Sequence, residues 1–260
     1  MLSAVAIVLI ASGIASSEEP GSQAVPAAGP PSPSGDGRRT MGRLPANLGR
    51  SLIGVFSRDN LVPVVVGGVA AGGSSFADGR VRDAVAEPGS GFGKALETGG
   101  GALWSTVFVT GMFTAGRLTQ GRFRAMSYDM LDAVIVNVGC TQLVKVGVGH
   151  ERPRGQNRKS FPPGHASYAF VLATVAERHY GWKAGVPALA LASAMGYSRL
   201  VRDEHYLSDV VAGATLGLII GRTTVRVNSR PLPTTPPRVT WSVAPVLSQQ
   251  ARGLAVRVVF

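Results

Sequence analysis

The chain has 260 residues, enough for one sizeable core, and is 45% hydrophobic but only 7% aromatic, with 34 glycines and 17 prolines. That proportion of small apolar residues suits closely packed helices, in water or in lipid. The formal net charge of +11 is concentrated in two segments: residues 222–260 carry six Arg and no acid, and residues 145–159 carry Lys145, Arg152, Arg154, Arg158 and Lys159 against Glu151 alone. No nucleic-acid motif accompanies either, which leaves an anionic membrane surface, a phosphorylated small molecule or, for the tail, a plain solvated surface.

Residues 1–16, MLSAVAIVLIASGIAS, form an apolar run ending in small residues, as in a secretory signal without its positive leader region. Export to a periplasmic or cell-envelope location follows from that reading. Residues 17–50 are rich in Pro, Gly and Ser and bury too little apolar surface to offset their ordering entropy, so they read as a flexible linker. A helical domain is predicted over 51–225, with helices near 60–72, 77–86, 102–118, 126–147, 166–180, 185–200 and 206–221. Strand-like alternation is scarce there, which predicts an all-α helical bundle.

Most clean apolar runs fall short of the roughly 20 residues that spanning takes, so the pattern leans towards a soluble or peripheral bundle. The alternative is an integral membrane protein with its site facing away from the cytoplasm. GFGKALETGGG, residues 91–101, matches neither the dinucleotide nor the P-loop pattern and reads as a connection. Cys140 is the only cysteine and sits in an apolar setting, so it reads as a buried structural thiol. Residues 226–260 combine a Pro-rich spacer with two alternating runs, predicting a small C-terminal β-hairpin with Leu254, Val256, Val258 and Phe260 on one face.

Three clusters carry chemistry. The first runs from Lys145 to Arg152-Pro153, crossing from a helix end into a loop. The second, Phe161-Pro162-Pro163-Gly164-His165, opens a helix, and the third runs from Ser198-Arg199 through His205 to Asp209. His205 and Asp209 are four apart and share a helix face, where a carboxylate bonded to one imidazole nitrogen aims the other outward. An isolated pair of this kind is ordinarily a solvated helix contact. Its company changes that: Lys145, Arg152, Arg199, the Gly164 N–H and a helix start can together surround a phosphoryl group. No His, Cys or carboxylate set suited to zinc or magnesium stands beside them in the sequence. Asp129 and Asp132 read as helix-start charges, His179 as a helix C-terminal charge, and His150 as a residue at the site or exposed in its loop.

These clusters resemble the signature of the type 2 phosphatidic acid phosphatase superfamily, which includes bacterial acid phosphatases and vanadium haloperoxidases. Its pattern K-x6-RP, PSGH, SR-x5-H-x3-D is matched in its first and third parts at every specified residue and spacing. The resemblance implies that Lys145, Arg152 and Arg199 bind phosphate with Gly164, supported by Ser198. It implies that His205 attacks phosphorus, Asp209 orients His205, and His165 handles the leaving-group and water protons, with no metal or cofactor. The substrate class is a phosphate monoester or pyrophosphate, on a small molecule or a lipid. Two alternatives stand beside it: a haloperoxidase using vanadate, or a weakened anion-binding envelope protein. The second alternative rests on Pro163, which stands where the family has Ser and offers neither hydroxyl nor N–H.

Overall fold

The computed structural model describes residues 38–87, 90–91, 102–155, 157–158, 160–231, 240–247 and 252–259. The signal run, residues 17–37 of the linker and the stretch 92–101 lie outside the described residues. Helices follow in the order α1 (Leu44–Val55), α2 (Leu61–Ser74), α3 (Asp78–Val85), α4 (Ala102–Arg117), α5 (Arg122–Val148), α6 (Gly164–Tyr180), α7 (Trp182–Val201) and α8 (Leu207–Ser229). Strands β1 (Thr240–Leu247) and β2 (Arg252–Val259) pair antiparallel, with Val243 opposite Val256. The all-α bundle and its terminal hairpin are as the sequence predicts.

Local chemistry sets the helix ends. Pro45 in the first turn of α1 fixes a helical φ where no N–H partner is needed. Gly149 ends α5 in the left-handed region, φ 58°, returning its N–H to the Lys145 carbonyl at 3.2 Å. Gly181, at φ 74°, both ends α6 and starts α7, so the two helices form a tight hairpin. α8 lies on α6 at close range, since a Cβ at Gly217 would run into the Ser167 carbonyl.

α5, α6 and α8 enclose the apolar core of Met130, Ala133, Val136, Cys140, Val171, Val175, Ile219 and Ile220. Cys140 is buried and free, as the sequence reading expects. At one end of this core lies a buried polar layer that the sequence reading misses. Arg39 donates two hydrogen bonds to Asp129, at 3.0 and 2.8 Å. The same carboxylate meets His179 Nε2 at 2.8 Å and accepts from Asn228 Nδ2 at 2.9 Å. Asn228 also donates to Asp132 at 2.8 Å, and Ser51 of α1 donates to Asp132 at 3.3 Å. His179, Asp129 and Asp132 are therefore interior anchors rather than helix-end charges on a surface, and a buried charge persists only when paired in this way.

Two further expectations are corrected. Packed structure begins upstream of residue 50: α1 starts at Leu44, and Arg39 and Asn47 are buried. The apolar helices are also longer than their uninterrupted runs suggest. Residues 58–85, 122–148 and 207–229 are each long and apolar enough to cross a membrane, with a mean hydropathy of 1.4. α2 turns Val62, Val64, Val65, Val66 and Val69 outward, each at least half exposed, a surface that suits lipid rather than water. The chain is an integral membrane protein, and the leaning towards a soluble or peripheral bundle is set aside.

Arg39→Ala leaves Asp129 buried beside a missing cation and should destabilise the bundle by about 3–5 kcal/mol. Denaturant unfolding in detergent micelles checks this, and a change below about 1 kcal/mol would show the layer to be dispensable.

Candidate active site

At the opposite end of the core, the C-termini of α5 and α7 meet the N-termini of α6 and α8. Lys145 lies in the last turn of α5 and Arg199 in the last turn of α7. His165 is the second residue of α6, and Asp209 is in the first turn of α8. Two helix N-termini thus present backbone N–H groups to the same region as the cations, a favourable place for an anion.

The loop after α5 is closed by hydrogen bonds from Arg152 N to the Asn157 carbonyl at 3.0 Å and from Gly155 N to the Arg152 carbonyl at 2.8 Å. Arg152 Nε is buried without a hydrogen-bond partner. Such a donor is costly unless an anion completes it, which fits an oxyanion at this place. Arg199 is 1% exposed; its Nε donates to Ser198 Oγ at 3.3 Å and its Nη1 to Glu204 at 3.2 Å. Ser198 thus touches Arg199 directly. Burial works to raise the Glu204 carboxyl, but Arg199, Arg202 and Arg152 outweigh it and hold the group below its ordinary value. Glu204 lies inside the third motif yet was not singled out from sequence.

The two histidines differ in setting. His165 is pushed down to about 4, first by burial and then by the nearby Arg199, against which Glu204 pulls upward. His205 is also lowered, by burial, although Asp209 opposes the shift. Both shifts put Lys145 within electrostatic reach of each imidazole, and Arg152 within reach of His205. The structure thus brings together the cations and histidines that the sequence singled out.

Asp209 is more heavily engaged than a simple His–Asp pair. His150 Nδ1 lies 3.0 Å from Oδ1, while Oδ2 accepts from Ser160 Oγ at 2.5 Å and from Tyr206 N at 3.1 Å. His205 Nδ1 is 3.9 Å from Oδ2, too far for a hydrogen bond. Both readings left open for His150 hold in part: the ring is bonded to Asp209 at the site and is 43% exposed in its loop.

α3 braces this loop. Arg82 grips both oxygens of Asp203 at 2.7 and 2.9 Å, and Asp203 occupies the left-handed region at φ 55°. Asp78 accepts from Ser208 N and Oγ at 2.9 and 2.6 Å, capping α8. The segment carrying His205 is tied down on both sides.

Pro163 is the N-cap of α6 and is buried against α8, where a Cβ at Gly213 would come within 2.9 Å of the ring. Gly164 is open, since a Cβ there would meet nothing within 4 Å. Among the described residues no group of three His, Cys, Asp or Glu side chains could hold a metal ion.

Residues 129–231 match the family model for the PAP2 superfamily. Over 90 residues, 34% of the chain, it is 37% identical to a lipid A 1-phosphatase from Porphyromonas gingivalis. Over 66 residues, 25% of the chain, it is 35% identical to a lipid A 4'-phosphatase from Helicobacter pylori. The matched parts span only 19% and 33% of the lengths of those curated relatives. Among solved structures, LpxE from Aquifex aeolicus is 19% identical with a TM-score of 0.46, over 52% of this chain and 84% of that one.

The His165 shift has a definite sign. With a folded value of about 4 against an ordinary 6.5, the unfolded chain binds the extra proton between those values. Stability from this group is therefore full above 6.5 and declines as pH falls towards 4. Nitrogen-15 NMR of the imidazoles should find His165 titrating near 4, and rising when inorganic phosphate is added. Titration at 6.5 without phosphate would mean that the ring is solvated.

Proposed function

From the match of residues 129–231 to the PAP2 superfamily model, we propose that this chain is a lipid-phosphate phosphatase acting through a phosphohistidine at His205. What carries the reading is the convergence of Lys145, Arg152 and Arg199 with His165 and His205 at two helix N-termini. The relatives' names, lipid A 1- and 4'-phosphatase, favour the same class.

In this mechanism Lys145, Arg152, Arg199 and the Gly164 N–H hold the phosphoryl oxygens. Arg offers planar forks and Lys a point charge, and together they offset charge as it moves onto the equatorial oxygens. His205 Nε2 attacks phosphorus while the bond to the leaving oxygen breaks. His165 supplies the proton that the leaving oxygen needs, then takes one from the water that attacks the phosphohistidine and frees phosphate. His165 is neutral near pH 7 beside Arg199 and Lys145. A bound phosphate dianion offsets those cations, so substrate itself raises His165 towards the protonated form. The reaction routes no step through a metal.

A lipid substrate is favoured by an apolar groove of about 480 Å³ between α2 and α8, lined by Val64, Ala71, Phe161, Ser208, Leu216 and Ile219. Phe161 adjoins Ser160, and Ser208 adjoins Asp209, so the groove opens beside the site. A site facing away from the cytoplasm is favoured by charge. The Lys and Arg of residues 38–50, 117–124, 178–183 and 222–230 gather at the other end of the bundle and outnumber those at the site end, and such an excess marks the cytoplasmic side.

Phosphate release from phosphatidic acid should proceed in EDTA and fall at least about a thousandfold in His205→Ala, with p-nitrophenyl phosphate the poorer substrate. Undiminished release by His205→Ala would sink the mechanism, and bromide oxidation with vanadate and peroxide would point to the haloperoxidase chemistry instead. Pro163→Ser restores an N–H and a hydroxyl at the start of α6 and should raise the rate about tenfold to a hundredfold. A Pro163→Ser protein no faster than wild type would show that the proline costs the site nothing. Arg154→Cys should react with a membrane-impermeant maleimide added outside intact cells, and labelling only after lysis would reverse the orientation.

A further inference from the structure

We propose that Ser160 is a positioning residue whose hydroxyl links Asp209 to the imidazole of His205. This rests on the reading of His205 as nucleophile.

The carboxylate and the imidazole do not meet directly, their nearest atoms being 3.9 Å apart. Ser160 Oγ fills the interval, 2.5 Å from Asp209 Oδ2 and 3.4 Å from His205 Nδ1. A hydroxyl has one donor and two acceptor positions. Its hydrogen goes to the carboxylate, so a lone pair is left for the Nδ1–H of His205. That selects the tautomer in which Nε2 carries the free electron pair, as an attacking imidazole requires.

Asp209 cannot turn to replace this bridge. Oδ1 is held by His150 at 3.0 Å, and Oδ2 also accepts from Tyr206 N at 3.1 Å. Rotating the carboxylate towards His205 would break the contact with His150 and the cap of α8. The bridge itself is fixed: Ser160 is fully buried, and its N–H donates to the His150 carbonyl at 2.9 Å. The loop from His150 to Ser160 thus reaches Asp209 twice, through the His150 ring and the Ser160 hydroxyl. Bulk water does not reach the bridge, since Ser160 and Asp209 are 0% exposed and His205 is 4% exposed.

Ser160→Ala and Ser160→Thr in the full chain, purified in detergent, test the assignment. Ser160→Ala removes one oxygen and should lower kcat on phosphatidic acid about tenfold to a hundredfold with KM unchanged, because Ser160 does not touch substrate. Ser160→Thr keeps the hydroxyl and should recover most of the loss. Nitrogen-15 NMR gives a readout independent of turnover: His205 should be a single Nδ1–H tautomer in the wild type and a mixture in Ser160→Ala. Wild-type kcat in Ser160→Ala, a loss carried by KM, or an unaltered His205 spectrum would overturn the proposal. If the wild type itself releases no phosphate, the functional reading fails, and the NMR comparison still decides whether Ser160 sets the His205 tautomer.

Discussion

The bundle depends on a buried carboxylate far from the proposed chemistry. Asp129 joins the N-terminal segment through Arg39, α6 through His179 and α8 through Asn228. From this layer α5 rises 16 residues to Lys145, α6 runs back 14 residues to His165, and α8 runs back 19 residues to Asp209. At 1.5 Å per residue these lengths are about 24, 21 and 28 Å. Three helices of matched reach, pinned at one level, deliver their other ends to a second common level. There the cation-bearing ends of α5 and α7 face the N–H-bearing ends of α6 and α8. The anion site is thus a consequence of helix direction and register before any side chain is considered.

At that level the dominant physical theme is positive charge held in a small, dry volume. Desolvation does most to depress the two imidazoles, and the cations add to it, Arg199 and Lys145 at His165, Arg152 and Lys145 at His205. Glu204 answers part of it from within the same loop, accepting from both Arg199 and Arg202. A phosphoryl group bound there, as proposed, would meet donors already aimed and little solvent to reorganise, which is how preorganised electrostatics differ from the same charges in water. The clamp from α3 serves the same end, since a loop with a residue at φ 55° keeps its shape only when neighbours hold it.

Much of this was legible in the sequence, and the parts that were not share a cause. Lys145, Arg152, Arg199, His205 and Asp209 stand at fixed spacings along the chain, so a pattern can find them. Ser160 and His150 meet Asp209 across 49 and 59 residues, and nothing in their local sequence records the pairing. Asp129 and His179 look like ordinary helix-end charges because periodicity reports a face but not what that face meets. α1 was concealed by composition: LPANLGRSLIGV follows a Pro- and Gly-rich stretch, and only the burial of Asn47, Ser51 and Val55 shows that it packs. The spanning helices were underestimated because glycines and isolated charges interrupt hydropathy without interrupting the backbone ladder.

The Arg39 anchor also dictates an order of assembly. Its partners Asp129 and Ser229 lie 90 and 190 residues further along the chain. Contacts of such separation form late, after the intervening helices have been made and brought together. The lower layer therefore closes only once α8 is in place, and α8 is the same helix that carries Asp209 at its other end. A nascent chain halted before α8 would hold Lys145, Arg152 and His165 without Asp209, the carboxylate proposed to steady the nucleophile. Completion of the proposed site is in this way tied to completion of the scaffold.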